Sequence, residues 1–190
     1  MKLPDRLLAF VDTETTGLNP DIHEMIEFGV EMSNGDFYQF KIKPQHIETA
    51  SEIALKVNGY TPERWKNALE PKQAAAIIHE WLKDAIVIGQ NVKFDVGFIK
   101  ALLERESVIY DKGFLRHTGD TMTLALAHLV PKGLESLSLT NVVEFLGLEP
   151  EPEVHEAING ARCCKAVWEK LTDSGFDPDK FHKQYEDNEG

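Results

Sequence analysis

Leu7-Leu8-Ala9-Phe10-Val11-Asp12-Thr13-Glu14-Thr15-Thr16-Gly17 is the stretch on which the reading of this chain turns. Its apolar opening reads as a buried strand. The strand's period of two then turns Asp12 and Glu14 to the same side. Two carboxylates side by side at the end of a core strand repel one another and lose hydration. A bound divalent cation relieves both problems, and hard oxygen donors suit Mg²⁺ or Mn²⁺. The competing reading is a plain turn, in which Asp and Thr cap a helix or bond the local backbone.

The strands continue from there. Residues 25–32 are apolar-rich, Ser33-Asn34-Gly35-Asp36 is a hairpin turn, and residues 37–42 alternate apolar and polar side chains with one irregular step. A three-stranded meander follows. Further on, Thr61-Pro62-Glu63 has the order of a helix start, and residues 73–82 space Ala74, Ile77, Ile78, Trp81 and Leu82 for a buried helical face. Residues 85–88 read as a short buried strand and 96–103 as a helix. Asp120-Thr121 caps a helix to Leu129 that Pro131-Lys132-Gly133 breaks, and residues 138–146 and 156–171 supply two more. Strands first, then helices alternating with further strands, predict an α/β fold with a mixed sheet.

The chain has 190 residues, 42% of them hydrophobic and 27% charged, which suits one domain with a single core. We expect that domain over residues 1–172, with a polar, acidic tail over 173–190 that frays. Apolar runs stay well short of the ~18 residues that span a bilayer, and Asp12 closes the first one too early for a signal peptide. A soluble cytoplasmic protein is the expectation. Cys163 and Cys164 are adjacent and build neither a disulfide framework nor a zinc site, so they read as reduced packing residues. The formal charge of −12 argues against a broad basic surface for duplex nucleic acid. It does not exclude a nuclease, because carboxylates that hold cations contribute negative charge and the cations then attract phosphate.

Two more segments belong with Asp12 and Glu14. Gly89-Gln90-Asn91-Val92-Lys93-Phe94-Asp95 leaves a buried strand and enters a helix, which places Asp95 near a helix N-terminus. A carboxylate is favoured there by the macrodipole, and simple capping would also explain it. His155-Glu156-Ala157-Ile158-Asn159-Gly160-Ala161-Arg162 opens the last long helix. Asp120 reads as a helix cap and stays outside the site.

Together the three segments resemble the DEDDh group of 3′→5′ exonucleases, which includes polymerase proofreading subunits and ribonuclease T. Asp12-Thr13-Glu14-Thr15-Thr16-Gly17 is similar to that group's first motif, Asn91-Val92-Lys93-Phe94-Asp95 to its second and His155-Glu156-Ala157 to the start of its third. Leu55-Lys56-Val57-Asn58-Gly59-Tyr60-Thr61 is similar to the group's segment after the third strand. The resemblance implies a ribonuclease H-like fold, a three-stranded meander plus parallel strands flanked by helices. It also implies hydrolysis assisted by two Mg²⁺ or Mn²⁺ ions about 4 Å apart. Asp12 would bridge the ions, Glu14 complete the first, and Asp95 hold them partly through water. His155 would take the proton of the attacking water as general base. Thr13, Thr15, Thr16 and Asn91 would contact the terminal nucleotide, with Phe94 beside it or, in the favoured reading, packed in the core. The partner so implied is a single-stranded 3′ end, DNA ahead of RNA, on which the chain acts alone. The alternatives are an inactive nucleic-acid-binding protein on the same fold and a polymerase-associated proofreading subunit.

One position departs from the pattern. The group's third motif places an aspartate five residues after the histidine, and here that residue is Gly160. By the resemblance one metal-binding carboxylate is then lost, which weakens occupancy by Mg²⁺, with its demand for near-ideal octahedral geometry. Neither Asn159 nor Glu156 is placed to substitute. Glycine inside a helix also costs ~1 kcal/mol relative to alanine, so Gly160 reads as a poor choice for stability. Weakened activity, binding without catalysis, or a replaced aspartate would each account for it.

Overall fold

The strand that begins at Leu8 does not stop at the acidic motif. In the computed structural model β1 (Leu8–Thr15) runs through Asp12, Thr13 and Glu14, so the motif occupies the last turns of a central strand. The structure describes residues 6–152 and 156–172. The expectations for His155 and for the tail 173–190 therefore lie outside the described residues.

β2 (Met25–Met32) and β3 (Phe37–Lys41) complete the meander as expected, each antiparallel to the strand before it. Two parallel strands extend the sheet on the other side of β1: β4 (Ile86–Gly89) pairs with β1, and β5 (Thr118–Asp120) pairs with β4. The strand order is β3-β2-β1-β4-β5, a mixed sheet with the acidic strand in its middle.

Alternation along β1 assigns the two faces. Ala9 and Val11 join the larger core with Ala74, Ile78 and Leu82 of α2 (Pro71–Leu82) and Phe98, Ile99 and Leu103 of α3 (Val92–Arg105), which follow α1 (Glu52–Val57) in the chain. Phe10 faces the opposite way, onto Cys164 and Trp168 of α6 (Ala157–Thr172). A third cluster seats α4 (Thr121–His128) and α5 (Leu139–Phe145) against α6 through Ala125, Val142, Val143 and Val167. Asp12 and Glu14 share the parity of Phe10 and so lie on the α6 side.

Several elements differ from the sequence expectation. Residues 62–67 form turns and no helix. Thr61 Oγ1 does accept the Arg64 N–H, at 3.2 Å, but the chain must become extended again at once, because Leu69 pairs with the end of β3 through Leu69 N to Lys41 O and Lys43 N to Leu69 O, both 2.9 Å. α3 starts at Val92, four residues before the apolar periodicity suggested, so Asp95 lies inside its first turn. α1 and β5 carry no strong periodic signal and emerge only in the structure. Cys163 and Cys164 are free and buried, and burial pushes the Cys164 thiol up to about 12, which suits inert packing. Among the described residues no helix is long and apolar enough to cross a membrane.

Candidate active site

Three carboxylates meet where β1 ends. Asp12 and Glu14 project from β1 toward α6. Asp95, from the first turn of α3, is held by the Thr13 hydroxyl, which donates to its Oδ1 at 2.9 Å. Thr13 has the opposite parity to Asp12, so one strand end presents acids to one side and a carboxylate-holding hydroxyl to the other.

The electrostatics match that crowding. Asp12 is raised from 3.8 to about 7, first by burial, then by the charge of Glu151, with Glu27 adding to it and the Thr13 backbone N–H opposing. Glu14 is raised from 4.5 to about 8, again first by burial and then by Asp12. Asp95 is held well above the usual carboxylate range by burial and by Asp12. Desolvation plus like charge is the arrangement that a dication reverses. Among the described residues no three His, Cys, Asp or Glu side chains stand in a ready-made metal cage. The site is a pair of couplings centred on Asp12, and as a donor set it fits a hard cation because every donor is a carboxylate oxygen.

The remaining candidates divide by their partners. The side chains of Thr15 and Thr16 are turned inward: Thr15 Oγ1 donates to Gly17 O at 2.7 Å, and Thr16 Oγ1 accepts the Glu24 N–H at 2.8 Å. With Thr13 bound to Asp95, all three threonine hydroxyls are committed within the protein and shape the loop. Asn91 is exposed at the N-terminus of α3 in the left-handed conformation, φ 59°. Its N–H donates to Asp120 Oδ1 at 3.1 Å, and the same oxygen caps α4 by accepting the Met122 N–H at 2.8 Å. Asp120 is thus the expected cap, and it also fixes the entry to α3. Phe94 is half-buried against the core, its ring 4.9 Å from that of Phe98.

Three further residues join the site with no role there assigned from the sequence, although Asn58 lies in the segment 55–61 already marked by the resemblance. Glu151 faces Asp12 electrostatically from the segment before α6. Glu27 on β2 is buried at 1% exposure and stands directly across from Glu14. Asn58 closes α1 onto the motif, its Nδ2 donating to Thr15 O at 2.8 Å while the Ser51 N–H donates to Thr16 O at 2.7 Å. That anchoring sets Ile53 and Val57, both largely exposed, on a helix fixed to the acidic strand. Only the first motif's alternation could have flagged Glu27, through the meander register.

Gly160 lies on the inner face of α6 against Asp12, where an added Cβ would sit 2.7 Å from the Asp12 Cγ. The glycine therefore has a packing reason, set by a side chain and not by another backbone: its missing side chain makes room for the Asp12 carboxylate.

A five-stranded mixed sheet with its acidic residues on the central strand and helices on both faces defines the ribonuclease H-like class. A family model described as Exonuclease, of the RNase T type, matches residues 9–167, and the chain belongs to that family of DnaQ-like 3′→5′ exonucleases. DNA polymerase III PolC-type of Thermotoga maritima is 32% identical over 168 residues, covering 86% of this chain and 12% of that protein. The Ureaplasma parvum PolC-type polymerase is 39% identical over 107 residues, 53% of this chain and 7% of that one. The chain thus spans about a tenth of the length of these relatives. E. coli Exonuclease I in complex with a dT13 oligonucleotide superposes with a TM-score of 0.76 at 21% identity, over 95% of this chain and 44% of that one. A zinc-bound Exonuclease I–ssDNA complex gives 0.75 at 21%, over 95% and 43%.

Proposed function

We propose that this chain hydrolyses single-stranded DNA from its 3′ end, releasing nucleoside monophosphates, with two divalent cations held by Asp12, Glu14 and Asp95. The observation that carries this reading is the placing of Asp12 beside Glu14 along β1 and Asp95 from α3. All three are lifted toward neutrality first by burial, Glu14 and Asp95 then by the charge of Asp12, and Asp12 by Glu151 and Glu27. Such a group costs stability unless a cation or a proton occupies it, and clustered carboxylates with raised pKa values are suited to hydrolysis. Bound there, Mg²⁺ or Mn²⁺ would lower the pKa of a water and offset the phosphate charge.

The protein's own residues do the rest. Thr13 orients Asp95, Asp120 fixes the α3 entry so that Asn91 meets the terminal nucleotide, and Thr15 and Thr16 hold the loop through inward bonds. Phe94 backs the site from the core. His155 takes the proton of the attacking water. Exposed Leu18, Ile53 and Val57 around the anchored loop and helix offer apolar surface to unpaired base faces. Support for DNA comes from the PolC-type relatives and from the dT13 complex of Exonuclease I; the zinc-bound neighbour supports a divalent cation. The chain works as one domain over residues 1–172, alone at a strand end and in the cytoplasm, a setting in keeping with its free, buried cysteines.

Gly160 leaves Asp12 without a facing carboxylate from α6, so we expect weak activity that favours Mn²⁺, which tolerates looser coordination, over Mg²⁺. The test is product analysis: uniformly labelled single-stranded DNA, incubated with Mn²⁺ and then with EDTA, should yield 5′-mononucleotides only in the first case. Release of oligonucleotides, or release that survives EDTA, would contradict the proposal.

A further inference from the structure

Resting on that reading of the site, we infer that Glu27 is a positioning residue that seats the start of α6 over the acidic strand. The register makes a charge ladder across three strands, Glu14 opposite Glu27 and Glu27 opposite Lys41. Like charges directly opposite one another in a sheet are destabilising, and Glu27 is nearly inaccessible to water. Its carboxylate is kept there by three donors. Gln39 Nε2 donates at 2.6 Å, Lys41 Nζ at 2.8 Å and the backbone N–H of Ala157 at 3.2 Å.

The third donor is the informative one. Ala157 is the first residue of α6, and its N–H is one of the four that a helix start leaves without an intrahelical partner. Glu27, 130 residues earlier in the chain, supplies the acceptor. Two residues further along β2, Gly29 lets the same turn of α6 lie directly on the sheet: an added Cβ there would meet Ala157 O at 2.6 Å, as well as the Ala157 and Ile158 backbone. Gly29 stands opposite Asp12 in the register. Glu27 and Gly29 together therefore set the height and tilt at which α6 passes Asp12, and they set where the chain enters α6 at Ala157.

Glu27 is not a spare metal ligand in this account. Its two oxygens already accept three hydrogen bonds, and Lys41 neutralises it. A residue that seats a catalytic helix acts on the rate of the chemical step more than on substrate affinity, because displacing reacting groups by about an ångström costs up to about a hundredfold in rate.

The test uses the full chain and two unrelated perturbations of the same seat. Glu27→Met removes both carboxylate oxygens, and with them the acceptor of the Ala157 N–H, at nearly constant length. Gly29→Ala leaves every charge in place and wedges α6 off β2. Glu31→Gln is the control, since Glu31 also ties β2 to α6, through Lys165 at 2.6 Å and Arg162 at 3.1 Å, but farther from the acids. Three readouts are taken: amide exchange at Ala157, Mn²⁺ affinity by calorimetry, and kcat and KM on the p-nitrophenyl ester of thymidine 5′-monophosphate. We expect both seat variants to expose the Ala157 amide and to lower kcat about tenfold or more, with KM and the Mn²⁺ dissociation constant within about threefold. Glu31→Gln should leave kcat within about twofold. Protection of the Ala157 amide unchanged in Glu27→Met would overturn the inference. So would loss of Mn²⁺ binding in that variant with the amide still protected, which would make Glu27 a ligand. If the parent chain hydrolyses nothing, the proposed function fails, and amide exchange alone still decides the seat.

Discussion

Metal-free protein should lose stability as the pH rises through neutrality, and Asp12→Asn should remove much of that loss. An acid whose folded pKa lies above its unfolded one keeps its proton in the native state after the unfolded chain has released it. Its favourable contribution is intact below the unfolded pKa and is lost as pH climbs through the folded one. For Asp12 that window runs from 3.8 to about 7, and at about 1.4 kcal/mol per pKa unit its full cost is about 4 kcal/mol. Glu14, with its window from 4.5 to about 8, adds a similar amount. Part of the two costs is their shared repulsion, and the rim of the site is open to water, so a net loss of roughly 3–5 kcal/mol by pH 8.5 is the expectation. That is a large share of the 5–15 kcal/mol typical of a domain. Urea unfolding in EDTA, followed by the fluorescence of the three tryptophans, measures it at pH 5.5 and 8.5. Asp12→Asn should be roughly 2–3 kcal/mol more stable than the parent at pH 8.5 and little different at pH 5.5. Mn²⁺ at about a hundred times its dissociation constant should restore about 2.7 kcal/mol to the parent and almost nothing to the variant. Equal stability of the metal-free parent at both pH values, or of parent and variant at pH 8.5, would refute the reasoning.

Thr13→Val leaves Asp95 Oδ1 without its hydroxyl donor, and metal affinity should fall about 10- to 100-fold, the usual effect of losing a residue that orients a ligand; calorimetric titration with Mn²⁺ checks it. Asn58→Ala frees α1 from Thr15 O and should cost about 1–2 kcal/mol in unfolding while raising KM more than it lowers kcat. Gly160→Ala gains helix propensity of about 1 kcal/mol but presses on the Asp12 carboxylate, so stability should change by less than about 1 kcal/mol while activity drops about tenfold. Unfolding and rate measured on the same preparation separate the two effects.

The sequence disclosed most where a local pattern and its tertiary use coincide. The apolar run into Asp12, the Asn34-Gly35 turn and the Asp120 cap each state their structure within a few residues, and all three appear in the fold. The start of α3 was placed late because Val92, Lys93 and Phe94 do not share one face, and the left-handed Asn91 that begins the helix has no periodic signal. Residues 62–67 carry a helix-start order that is overridden by the pairing of Leu69 with β3. The same limit applies at the site. Asp12, Glu14 and Asp95 were legible as acids at strand and helix ends. The seating of α6 by Glu27 and Gly29, and the contact of Gly160 with Asp12, depend on residues about 130 apart in the chain or more, and no short window contains them.

The most direct test of the central claim is the digestion of 5′-labelled single-stranded DNA and RNA with Mg²⁺ or Mn²⁺, by the parent chain, Gly160→Asp and Asp12→Asn. The account predicts a ladder shortening from the 3′ end, faster on DNA and strengthened in Gly160→Asp once Asp12 rotates to admit the new side chain. It predicts no ladder from Asp12→Asn or in EDTA. Absence of digestion by the parent with either metal, or a ladder from Asp12→Asn equal to the parent's, would contradict it.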